Sequence, residues 1–298
     1  MAPQSSFEIG PAEAGQRLDA VVARALGLSR GWVRKLLDTE RVLLAGTPAA
    51  KGTILRAGDR IDVLDFARPD AGPIANPGIT LPILRESAGL VAVDKPAGLP
   101  VHPLDPDETH TALNALVACH PELIGVGEGG LRSGVVHRLD PGTSGVLIFA
   151  LCEDAWRAAR AAFAGKRVAK RYVARVHGAF AGESEIELML ENRGAHVRVV
   201  ERGGRLAASH IRALETGPET SLVEIGMRTG VRHQIRATLA ELGHPIVGDR
   251  LYGSTAELGR HWLHAASIAW DDFAAEAELP PELKTVPTGL KPAATDAK

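Results

Sequence analysis

The segment GVVHRLDPGTSGVLIFA, residues 134–150, constrains the fold of this chain more than any other. Val135 and Val136 on one side, and Val146, Leu147, Ile148 and Phe149 on the other, flank a polar loop carrying His137, Arg138, Asp140, Thr143 and Ser144. Short apolar runs bounded by Gly and Pro read as buried strands. Pro141 disfavours the helical region for the residue before it, so Asp140 is expected at the end of an extended strand, just ahead of a Gly-bearing turn. Taken alone, an Asp-Pro-Gly turn between two strands is most often only a turn. The weight placed on Asp140 therefore depends on what else the chain brings to it.

With 298 residues the chain has room for one large or two ordinary domains, and 45% hydrophobic with 23% charged residues is an ordinary globular balance. No apolar run reaches the length of a membrane span, and MAPQSSFEIG has neither the basic nor the apolar region of an export signal. A soluble cytoplasmic protein is expected. Cys119 and Cys152 lack CxxC spacing, so neither a disulfide nor a zinc site is expected. Net charge is only -2, which argues against a wholly basic nucleic-acid binder. The distribution is uneven, with Lys166, Arg167, Lys170, Arg171 and Arg175 close together and acid concentrated at Asp271, Asp272 and Glu276. Local basic stripes can hold a phosphate backbone, although most such runs are solvated faces.

Residues 1–15 read as an N-terminal extension. Residues 16–66 form a compact unit: GQRLDAVVARAL and SRGWVRKLLDTE have helical periodicity, with Ser29 as N-cap of the second, and VLLAG and DRIDVLDF read as strands. Residues 67–82, rich in Pro and Gly, read as a linker. A larger unit spans residues 83–283. Its strand candidates include LVAVDK, GVVHRLD, GVLIFA, KRYVARVHG, EIELML, HVRVV, ASHIRALE and TSLVEIGMR, and its helices lie near 109–119, 153–165 and 231–242. Strands that mostly follow one another predict an α+β domain with a mixed or antiparallel sheet. From about Pro281 large apolar residues become sparse, and residues 284–298 are expected to be a disordered tail.

Several separated segments resemble one family, the pseudouridine synthases of the RluA type. LVAVDKPAGLPVHP (90–103) is similar to that family's first strand and Lys-Pro-Ala-Gly loop, and GVVHRLDPGTSGVLIFA to its catalytic segment. KRYVARVHG resembles the segment with the active-site tyrosine, TGVRHQIRATLAELGHPIVGDRLYG (229–253) the closing segment, and RHWLHAASIAW (260–270) a further element, all in the family's order. Residues 16–66 resemble the S-four RNA-binding fold, a module many of these synthases carry at the N-terminus. The departures are Pro141 and Gly142, where many members have charged residues, and Val231, in a segment often polar or basic.

The resemblance implies isomerisation of uridine to pseudouridine in structured RNA, most simply large-subunit ribosomal RNA, with transfer RNA as the other substrate class. The chemistry breaks the bond from base nitrogen to sugar, turns the uracil and rejoins it through carbon 5. It asks for a positioned carboxylate, a cation holding it ionised, an aromatic face and exclusion of water, and for no metal or cofactor. By resemblance Asp140 is the carboxylate, Arg236 its cation and Tyr172 the ring that stacks on the base. Helical spacing places Arg236 beside the buried face formed by Ile235, Leu239 and Leu242, with Gly243 as C-terminal cap. Arg138, two residues before the acid, is expected on the same side of the strand and, by resemblance, fills the gap left by a flipped uridine. His137, Lys170, Arg30, Arg34 and Lys35 are the candidate RNA contacts, whereas His233 and His102 are read as structural or RNA-contacting at best. RNA is the expected partner, and a monomer the expected state. Two rival readings remain at this point, a non-catalytic RNA-binding or ribosome-assembly factor and an RNA glycosylase that releases free uracil.

Overall fold

The computed structural model describes residues 3–254 and 258–286, and its chain divides into two units, Met1–Arg68 and Pro69–Lys298. In the first, β1 (Pro3–Glu8) is followed by α1 (Leu18–Leu26), α2 (Arg30–Asp38), β2 (Val42–Leu44), β3 (Thr47–Pro48) and β4 (Arg60–Leu64). The strands form an antiparallel sheet in the order β1-β4-β2-β3. Ser29 caps α2 by accepting the Trp32 N–H, which satisfies one of the orphan donors of a helix start. Val21, Val22, Val33, Leu36, Ile61 and Val63 interlock beneath the two helices. As far as it is described, from residue 3, the stretch expected as an N-terminal extension is thus no separate one. The alternation of Ser5, Phe7 and Ile9 lets Pro3–Glu8 pair along β4 and seal that edge of the sheet.

The second unit is built on β5 (Ile83–Ser87), β6 (Leu90–Lys95), α3 (Ala112–Cys119), β7 (Ser144–Ala150), α4 (Glu153–Ala164), β8 (Ala169–His177), β9 (Glu183–Arg193), β10 (His196–Val199), β11 (Arg205–Thr216), β12 (Thr220–Met227), α5 (Gln234–Glu241), β13 (Leu263–Trp270) and β14 (Phe273–Glu276). Among the described residues ten strands form one sheet, β10-β9-β11-β12-β8-β13-β7-β6-β5, with β14 beside β13. Every pairing is antiparallel except β13 with β7, which meet over Ser144 and Gly145. The sheet is therefore mixed and the class α+β, as the succession of strands implies. The linker reading shifts as well. Asn76 donates its backbone N–H to Asn114, and Ile79 and Leu81 pack against Leu113, Leu116 and their neighbours, so this Pro-rich stretch is laid onto the larger unit.

Two further expectations change. GVVHRLD is not a strand, because only Val135 forms a bridge, to Phe149. β13 leaves β7 after Gly145, and residues 134–137 cover the edge it vacates. Ala150 N–H is taken by the Gly134 carbonyl and Ile148 N–H by the His137 Nε2, so a side chain stands where a ladder carbonyl would be. The chain after Pro281 is docked as far as it is described. Pro281–Lys284 forms a short 3-10 turn with Leu283 fully buried, Arg175 donates to the Leu283 carbonyl, and Glu282 pairs with Arg260. Sparse apolar composition conceals this, because one buried leucine, its carbonyl and one ion-paired glutamate suffice to hold the segment. Residues 287–298 lie outside the described residues.

Candidate active site

Asp140 opens a tight turn closed by Thr143 N–H on the Asp140 carbonyl, with Pro141 and Gly142 at its centre. The turn is held from three sides. Lys95, at the end of β6 and wholly buried, donates to the carbonyls of Pro96, Leu99 and Pro141, while Gly98 N–H also reaches Pro141. Burial, together with the nearby Arg260, lowers the Lys95 amine to about 7, against the pull of Asp140. Thr143 Oγ1 meets His261 Nε2 at 2.9 Å, and a Cβ on Gly142 would lie 2.7 Å from that ring, so the residue there must be small. Arg260 reaches Gly142 O and Ser144 Oγ.

α5 brings the cation. Buried Gln234 anchors its start by donating to Ala208 O and Ser209 Oγ and accepting from Thr229 Oγ1 and Val231 N–H. Gly243, at φ +78, ends it as a Schellman cap, with Gly243 N–H on Ala240 O and His244 N–H on Leu239 O. Arg236 Nη1 lies 2.9 Å from Asp140 Oδ2, and its Nε and Nη2 grip Asp249 at 2.6 and 2.8 Å. Asp249 is 2% exposed and Arg236 8%. The Arg236 pKa is raised by Asp249 first and Asp140 second, against the largest single influence, burial. The guanidinium carbon also lies 5.0 Å from the Tyr252 ring centroid. A cleft beside this pair is lined by Gly142, Arg236, Asp249, Arg250, Arg260 and His261.

Tyr172 faces the same place through sheet register. Gly145 pairs with Ala265 and Ala265 with Tyr172, which sets the tyrosine two strands from the start of β7. Burial raises its phenol well above the ordinary value, and the charge of Asp140 raises it further. The phenol is neutral at physiological pH and sits within the field of the carboxylate.

The structure thus brings Asp140, Arg236 and Tyr172 together. It gives other candidates different surroundings. His137 is spent on the Ile148 N–H and stacks on Phe163 at 5.1 Å. Burial, with Lys170 adding, lowers its ring to about 3, so the contacts it makes are those of a neutral strut in the β-sheet. Lys170 donates to Thr229 O, and burial lowers it to about 8, which ties β8 to the approach to α5. Arg138 is exposed, but strand alternation does not relate it to Asp140 because the segment is not a strand. In the first unit Arg30 pairs with buried Asp19 at 3.1 Å, Arg34 stands 3.9 Å from the same acid, and Lys35 lies over the Trp32 ring. The hydrogen bond from Arg17 lowers Asp19 to about 2, with Arg30 assisting against the cost of burial. Asp19 thereby fixes the spacing of a half-exposed arginine cluster.

Sequence reasoning passed over Asp249, Tyr252, Lys95 and the closeness of His233. Asp249 and Tyr252 stand in GDRLYG, directly after the apolar run of HPIVG, and Tyr252 is one of only two tyrosines in the chain. An acid at the end of a buried run, three residues from a scarce aromatic, is the signal that was available.

The model of the family described as RNA pseudouridylate synthase matches residues 89–241. An uncharacterized RNA pseudouridine synthase of Mycobacterium bovis is 36% identical over 272 residues, covering 86% of this chain and 86% of the relative. Another, of Chloroflexus aurantiacus, is 35% identical over 292 residues, covering 93% and 91%. The ribosomal large subunit pseudouridine synthase D of Xanthomonas campestris is 35% identical over 250 residues, covering 82% of this chain and 73% of that protein. Among solved structures, human RNA pseudouridylate synthase domain containing 4 has the same fold, with a TM-score of 0.54 at 23% identity over 68% of this chain and 90% of that one. The chain belongs to the RNA pseudouridylate synthase family and is an RNA pseudouridine synthase, an isomerase that modifies RNA. Among the described residues no helix is long and apolar enough to cross a membrane.

Proposed function

We propose that this synthase isomerises uridine in large-subunit ribosomal RNA, with Asp140 as the catalytic carboxylate. The observation that carries the reading is the 2.9 Å contact of Arg236 with Asp140, made by a guanidinium whose remaining face is locked on buried Asp249. A cation fixed in this way holds the carboxylate turned to one side without adjusting during the reaction. Tyr172 offers the uracil a face and a neutral phenol, and Lys95 holds the turn rigid by its carbonyls. To exposed Arg138, two residues before Asp140, falls the gap left by a flipped nucleotide. The first unit supplies an RNA grip of the S-four type through Arg17, Arg30 and Arg34 around Asp19. The name of the Xanthomonas relative supports ribosomal RNA as the substrate.

The test is Asp140→Asn, assayed by mapping pseudouridine in total RNA from cells carrying only the variant. Pseudouridine at the affected sites is expected to vanish while RNA affinity stays within a few-fold. A variant with wild-type activity overturns the assignment, and release of free uracil by the wild-type protein would mark a glycosylase instead.

A further inference from the structure

His233, the residue before α5, has left-handed backbone angles of φ 51 and ψ 21, which side-chain-bearing residues seldom adopt. The turn sets its imidazole between two groups. Nδ1 lies 2.9 Å from the Tyr252 hydroxyl, and Nε2 lies 3.7 Å from Asp140 Oδ2. The same hydroxyl accepts the Val197 N–H of β10 at 2.9 Å. Burial lowers the His233 pKa against the pull of Asp140, so the ring is neutral at physiological pH. Its single proton then has two possible places. On Nδ1 it would fill the second lone pair of the Tyr252 oxygen, strand that hydroxyl's own proton, and turn the bare Nε2 lone pair toward a carboxylate. On Nε2 the hydroxyl donates to Nδ1 while accepting from Val197, and an N–H faces the acid. Hydrogen-bond accounting selects the second arrangement.

We propose that Tyr252 is a positioning residue whose hydroxyl, oriented by the backbone of β10, fixes the His233 tautomer so that its Nε2–H becomes a second donor to Asp140. The inference rests on Asp140 being the reacting carboxylate. At 3.7 Å the pair has not yet formed a hydrogen bond, and such contacts commonly tighten only when substrate is bound. Both Arg236 and His233 address Oδ2, which leaves Oδ1 as the oxygen for the nucleotide. The chain of contacts also reaches the β9–β10 hairpin, whose turn Arg232 clasps through the carbonyls of Gly194 and Ala195. The register of that hairpin is therefore read at the carboxylate.

The test uses the full-length protein with 15N-labelled histidine, His233→Gln serving to assign the signal, and RNA from cells lacking the gene as substrate. The wild-type ring is expected as the neutral Nε2–H tautomer, and Tyr252→Phe, which keeps the ring on Arg236, as a mixture. The single-turnover rate at saturating enzyme should fall about tenfold in Tyr252→Phe, with the half-saturating enzyme concentration within twofold of wild type. His233→Gln, which returns an N–H near the Nε2 position, should turn over about tenfold faster than His233→Leu. An Nδ1–H tautomer in the wild-type protein, an unchanged rate in Tyr252→Phe, or equal rates for the two His233 variants overturns the proposal. If Tyr252→Phe fails to fold, the wild-type spectrum and the His233 pair still decide. The tautomer is read without RNA, so its failure is distinct from that of the Asp140→Asn test.

Discussion

A single guanidinium is divided between two acids of opposite character. Asp249 is buried and takes two charge-assisted hydrogen bonds from Arg236, and Asp140 is a quarter exposed and takes one. The buried acid fixes the geometry that the exposed one uses. Removing one partner of a buried pair leaves an uncompensated charge, which typically costs about 3–5 kcal/mol. Asp249→Asn retains one acceptor oxygen, so its cost should fall at the lower end, about 3 kcal/mol in urea unfolding, with a rate loss on saturating RNA greater than the loss of RNA affinity. A variant as stable as wild type would show that Asp140 alone holds Arg236. Lys95 plays the complementary part for the backbone, since its buried amine gathers the carbonyls of Pro96, Leu99 and Pro141.

Among the elements, glycines at apparently similar positions carry different burdens. Gly145, at φ +106, sits where β13 meets β7, and a Cβ there would lie 2.2 Å from the Ala265 carbonyl. Gly243 is also left-handed but has open space around it. Gly243→Ala should cost only about 1 kcal/mol and spare activity, whereas Gly145→Ala should separate β7 from β13 and abolish both cooperative melting and turnover. Comparable melting curves for the two variants would contradict this reading. Legibility followed the same division between local and distant causes. β6 begins and ends where the apolar run of LVAVDK does, and Ser29 caps α2 as its side chain allows, because local chemistry decides those features. GVVHRLD misled because its residues suit a strand but the place beside β7 is filled partly by a side chain, His137. β1 escaped notice because its sequence, PQSSFE, is polar and only β4 gives it a partner. That Asp140, Tyr172 and Arg236 meet is an expectation drawn from the resemblance, and the fold does bring them together. Asp249 and His233 owe their roles to a meeting of distant segments, and no spacing within one segment records it.

Across the whole molecule, burial of neutral histidines sets an acid limit. Burial lowers His102, His261 and His264 to about 4 and His137 to about 3. The unfolded chain titrates its histidines near the ordinary value of about 6.5. Between about 6.5 and 4 the unfolded state therefore binds more protons than the folded one, and stability falls with falling pH. The slope approaches about 1.4 kcal/mol per pH unit for each histidine that remains neutral in the fold. Melting temperature measured from pH 8 to 4.5 should be level above about 7 and drop steeply below 6, with a shallower drop in His137→Gln. A level profile down to pH 4.5 would refute the neutral assignments. The order of strands bears on when the enzyme becomes active. β13 lies between β7 and β8 yet follows both in the chain. A chain emerging from the ribosome presents the turn of Asp140, the strand of Tyr172 and the helix of Arg236 before the strand that joins the first two. Until Leu263–Trp270 arrives, β7 and β8 have no common neighbour, so Asp140 and Tyr172 cannot be set at the distances the fold gives them. Competence to modify RNA is thereby withheld until that strand has been made.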